Sequence, residues 1–146
     1  SQINMPKVTA AGINLKLKNV KIPYASINEK ITKDNIGKTF SDLNEEDIII
    51  DCFDNAESRK VIKNFHFINT FHVGFSPALT AELYWNNDYE VSGDVDKNLG
   101  DICEMDLALP FIEFVASFAC MQIHKFIESL EQHNYIITNS YNIKKV

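Results

Sequence analysis

The chain has 146 residues, 45% of them apolar, a formal net charge of −6 and three cysteines. That length suits one domain with a real core, and the ten phenylalanines argue against disorder. The acidic balance argues against a nucleic-acid backbone or an anionic membrane as the main partner, while leaving room for a nucleotide.

Asn4 can cap a helix with Pro6 in its first turn, and Val8, Ala11 and Leu15 recur on one helical face to about Lys18. Val20 to Ile27 reads as a strand, with Pro23 marking an edge or irregularity. Lys33 to Leu43 is a short helix with Ile36, Phe40 and Leu43 on one side. Ile48 to Ile50, inside a strand from Asp47 to Cys52, suits burial on both faces. A helix from Ala56 to about Phe65 follows. This alternation predicts an α/β domain with parallel strands wrapped by helices.

Further along, Phe67 to Val73 is expected to be a strand ended by Gly74-Phe75-Ser76-Pro77. Thr80 to Trp85 alternates, with Ala81, Leu83 and Trp85 on the inner face. Asn86-Asn87-Asp88 is a turn, and Tyr89 to Val91 could return antiparallel. Ser92 to Asp101 reads as a surface loop. Met105 to Glu131 is one long helix, with Pro110 in its first turns and phenylalanines 111, 114, 118 and 126 at core spacing. Glu113, His124, Lys125 and Glu128 interrupt that helix, so it is read as a buried core helix and no membrane is expected as a partner. Tyr135 to Tyr141 closes the sheet.

The cysteines at 52, 103 and 120 form no C-x-x-C pair, so no structural zinc is expected, and reduced thiols fit a cytoplasmic protein. Cys52 reads as packing and Cys120 as a core residue. Cys103 precedes the long helix, whose dipole could lower its pKa, although Asp101, Glu104 and Asp106 act the other way. No pair of histidines among 66, 72, 124 and 133 has metal-ligand spacing. Asp54 lies after a strand and before a helix, where open α/β sheets bind ligands. It reads either as a helix N-cap or as a carboxylate placed to hold a cation.

Three stretches carry a family resemblance. Met5-Pro6-Lys7-Val8 resembles a "G-x-P-K-V" segment, and Asp51 to Arg59 resembles a "D-x-x-D-N-x-x-x-R" motif. His72 to Pro77, Ala81 to Asn86 and Asp101 to Met105 resemble the later part of a bacterial subgroup. Together they are similar to the ThiF/HesA/MoeB family, adenylyltransferases related to ubiquitin-activating enzymes, over about residues 4 to 130. The resemblance implies a partial Rossmann-like fold, parallel strands followed by antiparallel ones. It also implies ATP and magnesium as cofactors, and as partner a small ubiquitin-like or sulfur-carrier protein whose C-terminal carboxylate is joined to AMP. Carried over by motif, Asp54 holds the magnesium, Lys7 neutralises phosphate charge and Asn55 belongs to the same nucleotide site, while Cys103 is a weaker candidate for thioester or persulfide chemistry. Family members commonly pair, so a homodimer is expected.

The family's opening strand, glycine-rich turn, ribose-binding acid and arginine have no counterpart here; the five glycines form no G-x-G-x-x-G. With Ser1 as first residue, the chain reads as the C-terminal two-thirds of a family member, inactive by itself. A non-catalytic ThiF-like scaffold for binding or dimerisation, or a dinucleotide-binding oxidoreductase domain, are the rival expectations.

Overall fold

A computed structural model describes residues 4–18, 21, 23–65, 67, 69–76, 78–91 and 108–146. Those residues fall into two compact units, Ser1–Ile31 and Thr32–Val146. In the first unit, helix α1 (Lys7–Lys18) forms as expected, its start tied by Thr9 and Ala10 amides donating to the Pro6 carbonyl. The expected strand over 20–27 is not formed at 23–28. Pro23 supplies no N–H to a ladder, and this segment instead folds back on α1. The Ser26 hydroxyl donates to the Val8 carbonyl at 3.2 Å, and the Tyr24 ring lies over Gly12 with the Lys16 ammonium 5.3 Å from its centroid. Any Cβ at residue 12 would come within 2.5 Å of that ring.

The second unit holds one mixed sheet in the order β1-β2-β3-β4-β5, comprising β1 (Ile49–Asp51), β2 (Thr70–Ser76), β3 (Thr80–Trp85), β4 (Tyr135–Thr138) and β5 (Ile143–Lys145). β1 is parallel to β2, the crossover between them being α3 (Ala56–Lys63); every later pairing is antiparallel. The chain is therefore α/β, with its parallel pair first and antiparallel strands after, in the order expected. Helix α2 (Ile36–Thr39) is shorter than the helix expected over 33–43.

One face of the sheet carries the core. Register sets Phe71 opposite Trp85, Val73 opposite Leu83 and Phe75 opposite Ala81. These pack with Tyr135 and Ile137 of β4 against Phe111, Val115, Ala119 and Phe126 of helix α4 (Ala108–Ser129). The inner set of β3 is the one its alternation predicts. Phe114 and Phe118 flank the cluster, meeting the rings of Tyr141 and Tyr135 edge-on.

Several expectations are corrected. β1 is not buried on both faces: it ends the described sheet, and Ile50 is 51% exposed. β2 continues through Gly74 to Ser76, because Ala81 and Thr80 of β3 remain available to pair with Phe75 and Ser76. Tyr89 to Val91 forms no strand; the edge of β3 is taken by β4, and Tyr89 turns inward over His72. β5, unforeseen, adds three residues whose side chains all face solvent, so no periodic apolar signal announces it. α4 buries one face only. Leu109, Met121 and Ile127 are exposed, and so is Cys120, which is no core residue. No described helix is long and apolar enough to cross a membrane. The loop expected over 92–101, the helix start at 105–107, Val20, His66 and Cys103 lie outside the described residues.

Candidate functional site

The β1–α3 turn is built by the residues of the D-x-x-D-N-x-x-x-R stretch, each with a separate task. Asp51, the last residue of β1, points to the sheet face opposite α4 and is 2% exposed. Its two oxygens are divided: Oδ1 accepts the Phe53 amide at 2.9 Å, while Oδ2 lies 2.7 Å from His72 Nδ1 and 3.7 Å from Arg59 Nη1. Asn55 is the N-cap of α3, its side-chain oxygen accepting the Ser58 amide at 2.9 Å. Its amide group donates to Asp54 Oδ1 at 3.0 Å. The cap expected of Asp54 is thus made by its neighbour. Asp54 itself is exposed at the carboxyl end of β1.

Arg59 reaches back from α3, donating to the Val73 carbonyl at 2.8 Å and to the Tyr89 hydroxyl at 3.1 Å. The guanidinium passes over Gly74, where a Cβ would make ordinary contact with it at 3.4 Å. His72 is fully buried, with its Nε2 3.0 Å from Asn86 Oδ1 and its ring stacked on Tyr89 at 3.9 Å between centroids. Side-chain oxygens therefore face both ring nitrogens. A buried carboxylate is tolerated here because a histidine, an arginine and a backbone amide surround it.

Cys52 follows Asp51. The residue is exposed, yet its thiol loses hydration against the protein. That desolvation raises its pKa above the ordinary thiol value, the Asp51 carboxylate raises it further, Arg59 opposes them and Cys120 adds slightly. Such a thiol is a poor nucleophile at neutral pH. Tyr84 is likewise held above its ordinary value, by burial and then by Glu82 and Asp88. Open clefts of about 720 and 370 Å³ run along Asp88, Tyr89, Glu90 and Val91; Asp54 is not among their lining residues.

No protein-family model, curated protein or solved structure matches this chain.

Of the residues singled out from sequence, Asp54 and Asn55 are adjacent and hydrogen-bonded in the second unit, whereas Lys7 is an exposed residue at the start of α1 in the first. Cys103 is outside the described residues. No group of three or more potential metal ligands occurs among the described residues. With one exposed carboxylate, hydrogen-bonded by Asn55, the site fits only a hard cation that a nucleotide's phosphates and water largely ligate, as magnesium commonly is. His72, Asn86 and Tyr89 were not singled out. A polar residue between Phe71 and Val73 was the available signal, and its partner Asp51 emerges only from the parallel register that pairs the two.

Proposed function

We propose that this chain is part of an ATP-dependent adenylyltransferase of the ThiF type, with a partial Rossmann-like fold, that activates the C-terminal carboxylate of a small ubiquitin-like or sulfur-carrier protein. One observation carries the reading. In the Asp51–Arg59 stretch, Asp51, Asn55 and Arg59 are engaged in building the turn, and the carboxylate they present at the solvent-facing end of a parallel strand is Asp54. Ligands of open α/β sheets bind at that end. Attack of a carboxylate on an α-phosphate brings two anions together, so a cation is required to screen them.

In this reading Asp54 holds magnesium through the nucleotide, which supplies charge neutralisation at the phosphates. Asn55 orients that carboxylate and caps the helix behind it. The resemblance alone assigns Lys7 to phosphate neutralisation and leaves Cys103 a weaker candidate for a later acyl or sulfur transfer. The intact protein is read as a cytoplasmic homodimer. The deciding experiment is ATP–pyrophosphate exchange by the full product of the gene, supplied with its acceptor protein. Asp54→Asn abolishes exchange with the melting profile unchanged; full exchange in that variant removes the metal role.

A further inference from the structure

Two exposed free thiols, far apart in sequence, are brought to one side of the sheet: Cys52 just past the end of β1, and Cys120 in the middle of α4. We propose that Cys52 and Cys120 are a redox-responsive pair, which a low-molecular-weight disulfide such as oxidised glutathione closes into a bond fastening the end of β1 to α4. The nucleotide reading uses neither thiol, so the two proposals stand or fall separately.

Ring contacts along α4 place Cys120. Phe111 meets Phe75 at 6.2 Å between centroids, and Phe126 meets Trp85 at 4.5 Å, Trp85 being paired with Phe71. The helix thus runs back along β2 from the level of Phe75 to that of Phe71, and its middle, at Ala119, lies level with Val73. On β1, Asp51 pairs with His72, so Cys52 comes next, at the level of Val73 too. Alternation puts Cys52 on the side of Ile50, whose partner Phe71 packs against α4. The flank of the helix agrees. Phe118 and Phe114 lean toward Tyr135 of β4 and Tyr141 beyond it. Cys120 lies about 200° around the helix from Phe118, at 3.6 residues per turn, on the flank away from β4. The strand order puts β1 on that flank. The thiol of Cys120 is near enough to add to the upward shift of the Cys52 pKa.

The chemistry balances as two thiol–disulfide exchanges. Burial and then Asp51 keep Cys52 protonated, so the first step falls to Cys120. Its thiolate attacks the small disulfide, forming a mixed disulfide and releasing one small thiolate. Cys52 gives its proton to water and attacks the Cys120 sulfur, releasing the second. Two protein thiols are oxidised and one small disulfide is reduced to two thiols. A thiol of raised pKa is also a poor leaving group, so the closed bond reopens through attack on Cys52, with Cys120 departing. Cytosolic disulfides of this exposed kind are usually redox-sensing.

The test uses the full 146-residue chain, reduced and then exposed to oxidised glutathione, with products read by intact mass and peptide mapping. Wild type and Cys103→Ser should each form one bond within a single chain, mapped between Cys52 and Cys120. With Cys52→Ser added to Cys103→Ser, the reaction should stop at one glutathione adduct on Cys120. In Cys103→Ser that adduct should be transient. Its decay to the closed form should quicken about tenfold from pH 7 to pH 8, because the Cys52 thiolate is what attacks. Closing a loop of about seventy residues should raise the melting temperature by several degrees, and a reductant should reverse the rise. Adducts that persist on Cys52 and Cys120 without closing, a bond between two chains, or a bond through Cys103 in wild type overturns the pairing. A closed chain that melts no higher than the reduced one overturns the fastening of β1 to α4. Should Cys103→Ser fail to fold, the wild-type map decides alone: a Cys52–Cys120 link supports the pair, and any other link overturns it.

Discussion

Removing the Asp51 carboxylate tests the buried network most directly. Asp51→Ala deletes the acceptor for the Phe53 amide and for His72 Nδ1, and withdraws the anion facing Arg59. His72 is fully buried and the Arg59 side chain is only 12% exposed, so water cannot readily replace what is lost. Breaking a buried charge pair by removing one partner costs about 3–5 kcal/mol. A domain of this size has about 5–15 kcal/mol in all. With a urea dependence of about 1–3 kcal/mol per molar, the unfolding midpoint should fall by about 2 M. Equilibrium urea unfolding of wild type, Asp51→Ala, His72→Ala and the double variant provides the assay. The double variant should lose clearly less than the sum of the singles, because residues in one hydrogen-bond network are coupled. A loss under about 1 kcal/mol for Asp51→Ala, or strict additivity, would mean that these groups are solvated and would refute the reasoning.

Other substitutions separate stability from function. Asp54→Asn should leave the urea midpoint within about 0.5 kcal/mol of wild type, as expected of an exposed position, while abolishing pyrophosphate exchange; a large midpoint shift would show that Asp54 belongs to the fold. Cys52 should react slowly with iodoacetamide at neutral pH, its rate climbing with pH past the ordinary thiol range, since the thiolate reacts and desolvation and Asp51 both oppose it. A rate plateau near neutral pH would contradict that direction. Leu130 ends α4 with φ of 58° and is 75% exposed. Leu130→Gly should therefore raise stability by about 0.5–1 kcal/mol, read as a higher melting temperature, since glycine adopts that backbone conformation without steric cost. Phe111→Ala, at the centre of the core cluster, should cost about 3–5 kcal/mol in the same measurement.

The elements legible in the sequence are those whose pattern reports a half-buried surface. β3 alternates because one face meets α4 while Glu82 stays in water, and α4 repeats its phenylalanines because they share that face. Where both sides of a segment have the same polarity, the pattern loses its meaning. Ile48 to Ile50 looks like a doubly buried strand, yet Ile50 is exposed on a strand at the limit of the described sheet. β5 is too short and too polar to announce itself. Val20 to Ile27 carries β-favouring residues, but Pro23 and the contacts of Tyr24 and Ser26 with α1 take the described part of that segment elsewhere. Propensity is weak against such local alternatives.

The site divides along the same line. The motif from Asp51 to Arg59 is contiguous, so its position after β1 and before α3 could be read from spacing alone. What each residue does there could not. Two aspartates three residues apart look equivalent in sequence, and only the sheet register separates them: Asp51 is carried inward opposite His72, whereas Asp54 emerges past the strand end. The side chains completing the network, His72, Asn86 and Tyr89, come from two later segments and meet only because β2 lies parallel to β1 and the turn after β3 folds over it. A burial argument then assigns the roles. A carboxylate enclosed by a histidine, an arginine and an amide is occupied in holding the turn together, while the Asp54 carboxylate at the same turn is exposed. The role proposed for this turn is accordingly assigned to Asp54, whereas Asp51 is part of the turn's structure.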